Sequence, residues 1–456
     1  MKKGNTPLTL GTADIGKLLM QYAAPAVAAM TATSLYNITD SIFIGRGVGP
    51  MALSGLTVSF PLMNFAAAFG ALVGMGGASL LSLRLGQKDY DSANRILGNV
   101  LALNVIIGLL FSAVSFLFLE QMLYFFGATE QTIGYAHDFM VIILAGNVIT
   151  HIYMGLNALL RSSGNPKKAM YATIFTVIIN VILNPLFIFG FGWGVRGSAL
   201  ATVISQIIVL IWQIKFFSNK ENFIHLRKGI YKLTSATVKG IIAIGLAPFL
   251  LNAAACVIVV IINRQFLFYG GESGELAVGA YGIVNRAAFL FAMIVFGINQ
   301  GMQPIAGYNY GAALYDRVAE VLKKAVILST IVMTSGFLTV QLFAHAVASV
   351  FTADKQLVDL TVVGLRYVFA VFPLVGFQMV VSTFFQSIGK AAKTIFLSVT
   401  RQVLFLIPMV IILPKYFGIT GIWMSMPGSD LISAFTACIL LRMQFREFKK
   451  QKREIV

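Results

Sequence analysis

Apolar runs long enough to cross a hydrocarbon core, about 18 residues or more, recur along this chain from residue 15 to residue 441. That recurrence limits the fold more than any other feature. Twelve such stretches can be drawn, at 15–44, 51–81, 96–119, 139–160, 169–189, 197–217, 237–266, 276–303, 318–343, 358–385, 394–413 and 419–441. In lipid every backbone N–H and C=O has to be satisfied within its own segment, so the stretches are read as helices. Several exceed the ~20 residues that cross a bilayer, which predicts tilt or bending. Pro25, Pro61, Pro185, Pro248, Pro373, Pro408 and Pro427 fall inside them and are the expected bend sites. A length of 456 residues would otherwise suggest about three soluble domains. With 11% charged residues against about 25% in soluble proteins, the chain cannot clothe such surfaces. Cys256 and Cys438 both lie in apolar runs, which excludes a disulfide framework and a CxxC metal site. The first run is too long for a removed secretory leader. The expected class is an all-α, twelve-helix membrane protein.

Charge gives the orientation. Of the 34 Lys and Arg, 26 fall on the two termini and the even-numbered loops, four (Arg46, Arg196, Lys355, Lys415) on the odd-numbered loops, and four in or beside spans. Positive charge is retained on the cytoplasmic side, so both termini are placed there. The same distribution accounts for the net charge of +17 without nucleic acid. The basic tail reads as an anchor beside anionic lipid.

The chain repeats itself at a shift of about 225 residues. Gly86, Tyr90 and Asp91 return as Gly311, Tyr315 and Asp316; Ala24-Pro25 returns as Ala247-Pro248, and Gly197 as Gly421. Ordered matches at near-constant offset indicate duplication. An even number of spans per copy makes the copies parallel repeats about an axis along the membrane normal. The expected division is an N-lobe (1–218), a cytoplasmic linker (219–236), a C-lobe (237–442) and a basic tail (443–456). A substrate path between the lobes, opened alternately by rocking, follows from that plan.

Charge at bilayer depth costs about 2.5–3.5 kcal/mol on insertion scales and calls for a reason. Two acids fall within spans, Asp40 and Asp430. Tyr36 and Asp40 in span 1, Asn180 and Asn184 in span 5, and Thr202 and Gln206 in span 6 are each spaced i, i+4, so each pair shares a helix face. If the faces converge, they offer one carboxylate with carboxamide and hydroxyl oxygens, a site for Na+ or for a proton. The alternative is an Asp40 that meets water at the interface, with the asparagines cementing helix packing. Asp430, whose duplicate position is near Gln206, has Arg401 as its expected partner, either as a structural pair or for substrate or proton handling. His151 is read as a packing hydrogen bond or a proton relay. No GxxxxGK[ST], HExxH or paired Asp-rich motif is present, so neither an enzyme nor a cofactor is expected.

Taken in order, Ala24-Pro25, Asn37-Ile38-Thr39-Asp40, Arg161-Ser162-Ser163-Gly164-Asn165-Pro166, the segment 180–189, Tyr281-Gly282-Ile283-Val284-Asn285-Arg286, the segment 303–312 and Arg401-Gln402 resemble the MATE (multidrug and toxic compound extrusion) family, in its bacterial DinF- and MepA-type branch. The resemblance implies two six-helix lobes in a bacterial cytoplasmic membrane, working as a monomer and exporting amphipathic organic cations in exchange for H+ or Na+. It further implies a cation-coupling site at Asp40 with Tyr36, Asn180, Asn184 and Thr202, and a hinge at Pro25. Many relatives carry aspartate where this chain has Asn184. Carboxylates that some relatives place in spans 7 and 10 have no match, which leaves the coupling to Asp40, with Asp430 second. A flippase for lipid-linked or polysaccharide precursors has a similar fold and is the alternative function.

Overall fold

The structure is a computed structural model that describes residues 8–455. Lys2 and Lys3, counted above for orientation, lie outside the described residues. Among these residues there are helices and loops and no strand. Nine stretches are long and apolar enough to cross a membrane. One of them, Ser235–Gly311, holds two helices parted at Gly271–Ser273, and two further crossings are bent pairs. The crossings therefore number twelve, as the hydropathy predicts. Spans 1, 2 and 3 are Ile15–Gly47, Pro50–Gly86 and Tyr90–Leu117. Span 5 is Pro166–Pro185 and span 6 is Gly194–Ser218. In the second lobe, spans 7, 8 and 9 are Ser235–Gly270, Gly274–Gly311 and Tyr315–Phe351. Asp14 and Asp89 cap spans 1 and 3 by accepting from the backbone N–H of Lys17 and Ser92.

The bends only partly follow the prolines. Span 10 breaks by 51° between Lys355–Phe369 and Phe372–Ser387, just before Pro373. Span 4 breaks by 56° between Ile133–Ala145 and Asn147–Ser162 with no proline near. There Gly146 is the joint, and a Cβ on it would lie 2.5 Å from Val203 Cγ2 of span 6. Span 1 runs unbroken through Pro25. The fifth helix of each lobe carries a π-helical stretch, Leu186–Gly190 in the first and Thr400–Leu406 in the second. Span 12 follows a break at Gly418, where φ is +55°, and its helix continues without interruption into the basic tail.

Glycines set the contact between the lobes, and they do so with two-fold pseudo-symmetry. A Cβ on Gly86 would fall 2.0 Å from Tyr308 O, and one on Gly311 would fall 2.1 Å from Leu83 O. These two contacts exchange partners at the repeat offset. Gly76 and Gly245 bring the backbones of spans 2 and 7 together, while Gly297 and Gly301 bring span 8 onto Val27 and Ala23 of span 1, on either side of Pro25. Gly197 and its duplicate Gly421 likewise each meet backbone at the end of the preceding helix, at Phe187 and Leu413.

The apolar core is divided to match. One cluster draws on both lobes along the side that carries the termini, from Leu10, Leu18 and Leu85 to Ile241, Ile305 and Phe384. Toward the other side each lobe has a core of its own, around Ile44, Phe139 and Ala199 in the first and around Phe266, Phe369 and Trp423 in the second. Rings of Phe65 and Phe69 still meet Phe249 across the lobes, at 6.0 and 4.8 Å between centroids. The lobes are thus closed on the cytoplasmic side and parted on the outer one.

Candidate functional site

Span 1 delivers Asp40 to the outer half of the N-lobe, where it is 8% exposed. Asn184 Nδ2 of span 5 donates to its Oδ1, and Ser198 Oγ of span 6 donates to the same oxygen at 2.6 Å. One turn toward the cytoplasm, Tyr36 Oη and Thr202 Oγ1 are 2.9 Å apart, and Asn180 Nδ2 donates to Thr202 Oγ1 at 3.1 Å. The faces therefore converge, and the five residues expected there fall into two hydrogen-bonded groups one turn apart, Asp40 with Asn184 and Tyr36 with Thr202 and Asn180.

A carboxylate cannot donate, so the Asn184 nitrogen has to face Asp40 and its carbonyl oxygen has to face away. That oxygen and Asn180 Oδ1 are both buried, without a hydrogen-bond partner among the described residues. Orphaned buried acceptors are uncommon and costly, of order 1–3 kcal/mol each. No Lys or Arg pairs with Asp40 among the described residues. The site is thus an array of oxygens around one acid with no resident positive charge. A small pocket of about 40 Å³ lies among Tyr36, Asn180, Thr202 and Gln206.

Ser198 was not foreseen. It stands one turn before Thr202 on the same face, next to the helix-packing Gly197, and that i, i+4 relation was the available signal. Gln206 shares the Thr202 face, but its Oε1 accepts from Thr150 Oγ1 at 2.5 Å, and it belongs to the wall of a larger cavity. It does not meet Arg401 and Asp430, which lie in the other lobe. Those two form the expected pair, with Arg401 Nε 2.7 Å from Asp430 Oδ1. His151 is fully buried, and its Nε2 lies 2.9 Å from Ala66 O, the packing role.

The larger N-lobe cavity, about 310 Å³, is lined by Met30, Tyr36, Met75, Tyr153, Asn157 and Gln300 among others. Its one charged wall residue is Arg161, whose Nη1 donates to Asn157 Oδ1 at 2.8 Å.

A family model described as MatE matches residues 25–186 and, a second time, residues 252–412. The chain belongs to the MatE family. The paired matches, one in each lobe, restate the duplication. Among similar proteins, Multidrug export protein MepA of Staphylococcus haemolyticus (strain JCSC1435) is 27% identical over 94% of this chain and 93% of its own length. The MepA of Staphylococcus aureus (strain N315) is 23% identical over 93% of each. Among solved structures, a multidrug resistance MATE transporter of the MOP superfamily in an outward-facing conformation superposes with a TM-score of 0.91 at 23% identity, covering 98% of this chain and all of that one. A MATE structure in the bent conformation gives 0.92 at 23% identity, covering 98% and 99%. This MatE protein is a multi-pass membrane transporter and not an enzyme, in agreement with the motifs.

Proposed function

We propose that the protein is a multidrug exporter of a bacterial cytoplasmic membrane, working as a monomer and moving amphipathic organic cations outward in exchange for an inward-moving cation bound at Asp40. The Asp40 carboxylate, buried with no basic partner, carries the reading, and the orphaned oxygens of Asn180 and Asn184 are the further donors a cation could turn toward itself. They are hard ligands without a partner, and Na+ is the coupling ion such a donor set fits best. Proton carriage by the same carboxylate is the second reading, favoured by its burial without a basic partner. Tyr36 and Thr202 form the neighbouring group one turn away, and the N-lobe cavity that Tyr36 also lines is the place for cargo.

Coupling follows from shared walls. Tyr36 lines the cavity and also, with Asn180 and Thr202, the small pocket one turn from Asp40, so an ion at Asp40 that draws in Asn180 and Thr202 reshapes the wall the cargo rests on. A ligand shifts a two-state equilibrium only by its differential affinity for the two arrangements. Ion and cargo competing for the outward-open lobe meet that condition. Pro25 is the proposed hinge, because its ring removes the backbone N–H that would otherwise bond one turn back and so weakens span 1 at that point. A precursor flippase is supported less well: Arg401 is neutralised by Asp430, and the N-lobe cavity carries a single arginine, too little charge for a pyrophosphate.

In everted vesicles with the Na+ and pH gradients clamped separately, ethidium uptake is expected to follow the Na+ gradient and to be lost in Asp40→Asn. Unimpaired uptake by Asp40→Asn at every pH and Na+ level would remove Asp40 from the mechanism.

A further inference from the structure

Inside the C-lobe lies a second cavity, of about 380 Å³, bounded by residues of all six of its helices. Its wall is apolar and soft, with Phe289, Phe372, Met333 and Met379 prominent, and its polar end is the Arg401–Asp430 pair. Arg401 stands on the π-helical stretch of the lobe's fifth helix, and π-bulges gather at functional sites because the widened turn re-aims a side chain. The pair is half used. Arg401 Nε donates to Asp430 Oδ1, while the two terminal guanidinium nitrogens and the second carboxylate oxygen make no hydrogen bond among the described residues. A pair 25% and 10% exposed has given up most of its hydration, and such a pair is favourable only when its remaining donors and acceptors are met.

The two lobe cavities differ in charge. Arg161 is unopposed by any acid in the wall of the N-lobe cavity, whereas the C-lobe pair is neutral in sum and offers both signs at once. A ligand with one charge of each sign would leave the total unchanged while satisfying both free edges.

We propose that the C-lobe cavity is a second cargo subsite, selective for zwitterionic amphiphiles. The ligand carboxylate meets the free edge of Arg401, its cationic end meets the free oxygen of Asp430, and its ring lies among Phe289, Phe372 and Met379. This rests on the exporter reading but not on the ion at Asp40.

The test uses one dye in two charge forms, tetramethylrhodamine as the free carboxylate and as its methyl ester, titrated against purified full-length protein by fluorescence anisotropy with no gradient. The parent is expected to bind the zwitterion tighter by about tenfold or more. Arg401→Gln, which leaves Asp430 unopposed, is expected to invert the preference. The neutral double variant Arg401→Gln/Asp430→Asn, which strands no charge and keeps a foldable core, is expected to abolish it. Met379→Trp, filling the cavity, should weaken both dyes. Equal affinities in the parent, or a preference that survives in the double variant, would overturn the proposal. Because binding is read at equilibrium, a failure of ion coupling at Asp40 leaves this outcome untouched, and the reverse also holds.

Discussion

Gly245→Ala puts the closed cytoplasmic seam to a direct test. A Cβ at that position would stand 1.8 Å from Leu72 O and 2.7 Å from Leu72 C, both backbone atoms of span 2. No rotamer change relieves such a contact. Ordinary carbon–oxygen approach is about 3.3 Å, so span 7 has to withdraw from span 2 by roughly 1.5 Å. Overpacking of this kind costs about 1–3 kcal/mol. The seam is closed only while the cleft is open outward, so the cost falls on that arrangement and shifts the balance between the two by about 5- to 150-fold. Spin labels at Arg46→Cys in the N-lobe and Tyr269→Cys in the C-lobe, with Cys256 and Cys438 replaced by serine, report the width of the outer cleft by electron–electron resonance. Gly245→Ala is expected to move the distance distribution to its shorter population. Alanine is also the better helix former, by about 1 kcal/mol. A variant that is more heat-stable than the parent, with an unchanged distribution, would show that the backbones do not meet there.

Further expectations concern individual side chains. Asn184→Asp returns a second carboxylate to the ion site and is expected to tighten Na+ binding by about tenfold or more, measured by Na+-dependent thermal stabilisation; an unchanged Na+ response would make Asn184 a packing residue. Ser198→Ala removes a buried donor from a carboxylate and should lower unfolding stability by about 1.5–3 kcal/mol, read as a lower Tm of the purified protein in Na+-free buffer. Asp89→Ala should cost about 1 kcal/mol through the lost cap of span 3. Hydrogen bonding from Ser92 holds the Asp89 carboxyl below the usual carboxylate range, so its contribution is full at neutral pH and fades as pH falls through that lowered value. Parent and variant should therefore converge in stability in acid; a gap that widens there would contradict the cap.

Much of this was legible in the sequence because bilayer physics writes long, simple signals. Twelve apolar runs, a one-sided distribution of Lys and Arg, and the paired motifs at Gly86 and Gly311 give spans, orientation and duplication. The ion network was legible for a similar reason, since Tyr36/Asp40 and Asn180/Asn184 are one turn apart in helices that could hardly turn those groups to lipid. The remainder depends on tertiary contact, which leaves little trace in one dimension. The 56° break at Gly146 answers to Val203 on another helix. Ser198 is as common a residue type as any serine until Asp40 is seen beside it. Gln206 shares the face of Thr202, yet its partner is Thr150, on a helix whose rotation the sequence leaves open. Which side of the lobes is closed depends on how Gly245 and Gly301 meet their neighbours, and a glycine in a helix looks the same facing lipid or backbone.

Equilibrium binding of radioactive sodium to the purified protein probes the Asp40 site with the fewest intervening steps. The parent is expected to hold one ion per chain and to release it as ethidium is added, while Asp40→Asn holds none and is indifferent to the dye. Sodium bound equally well by Asp40→Asn, or retained by the parent at saturating ethidium, would contradict the exchange of ion for cargo at this carboxylate.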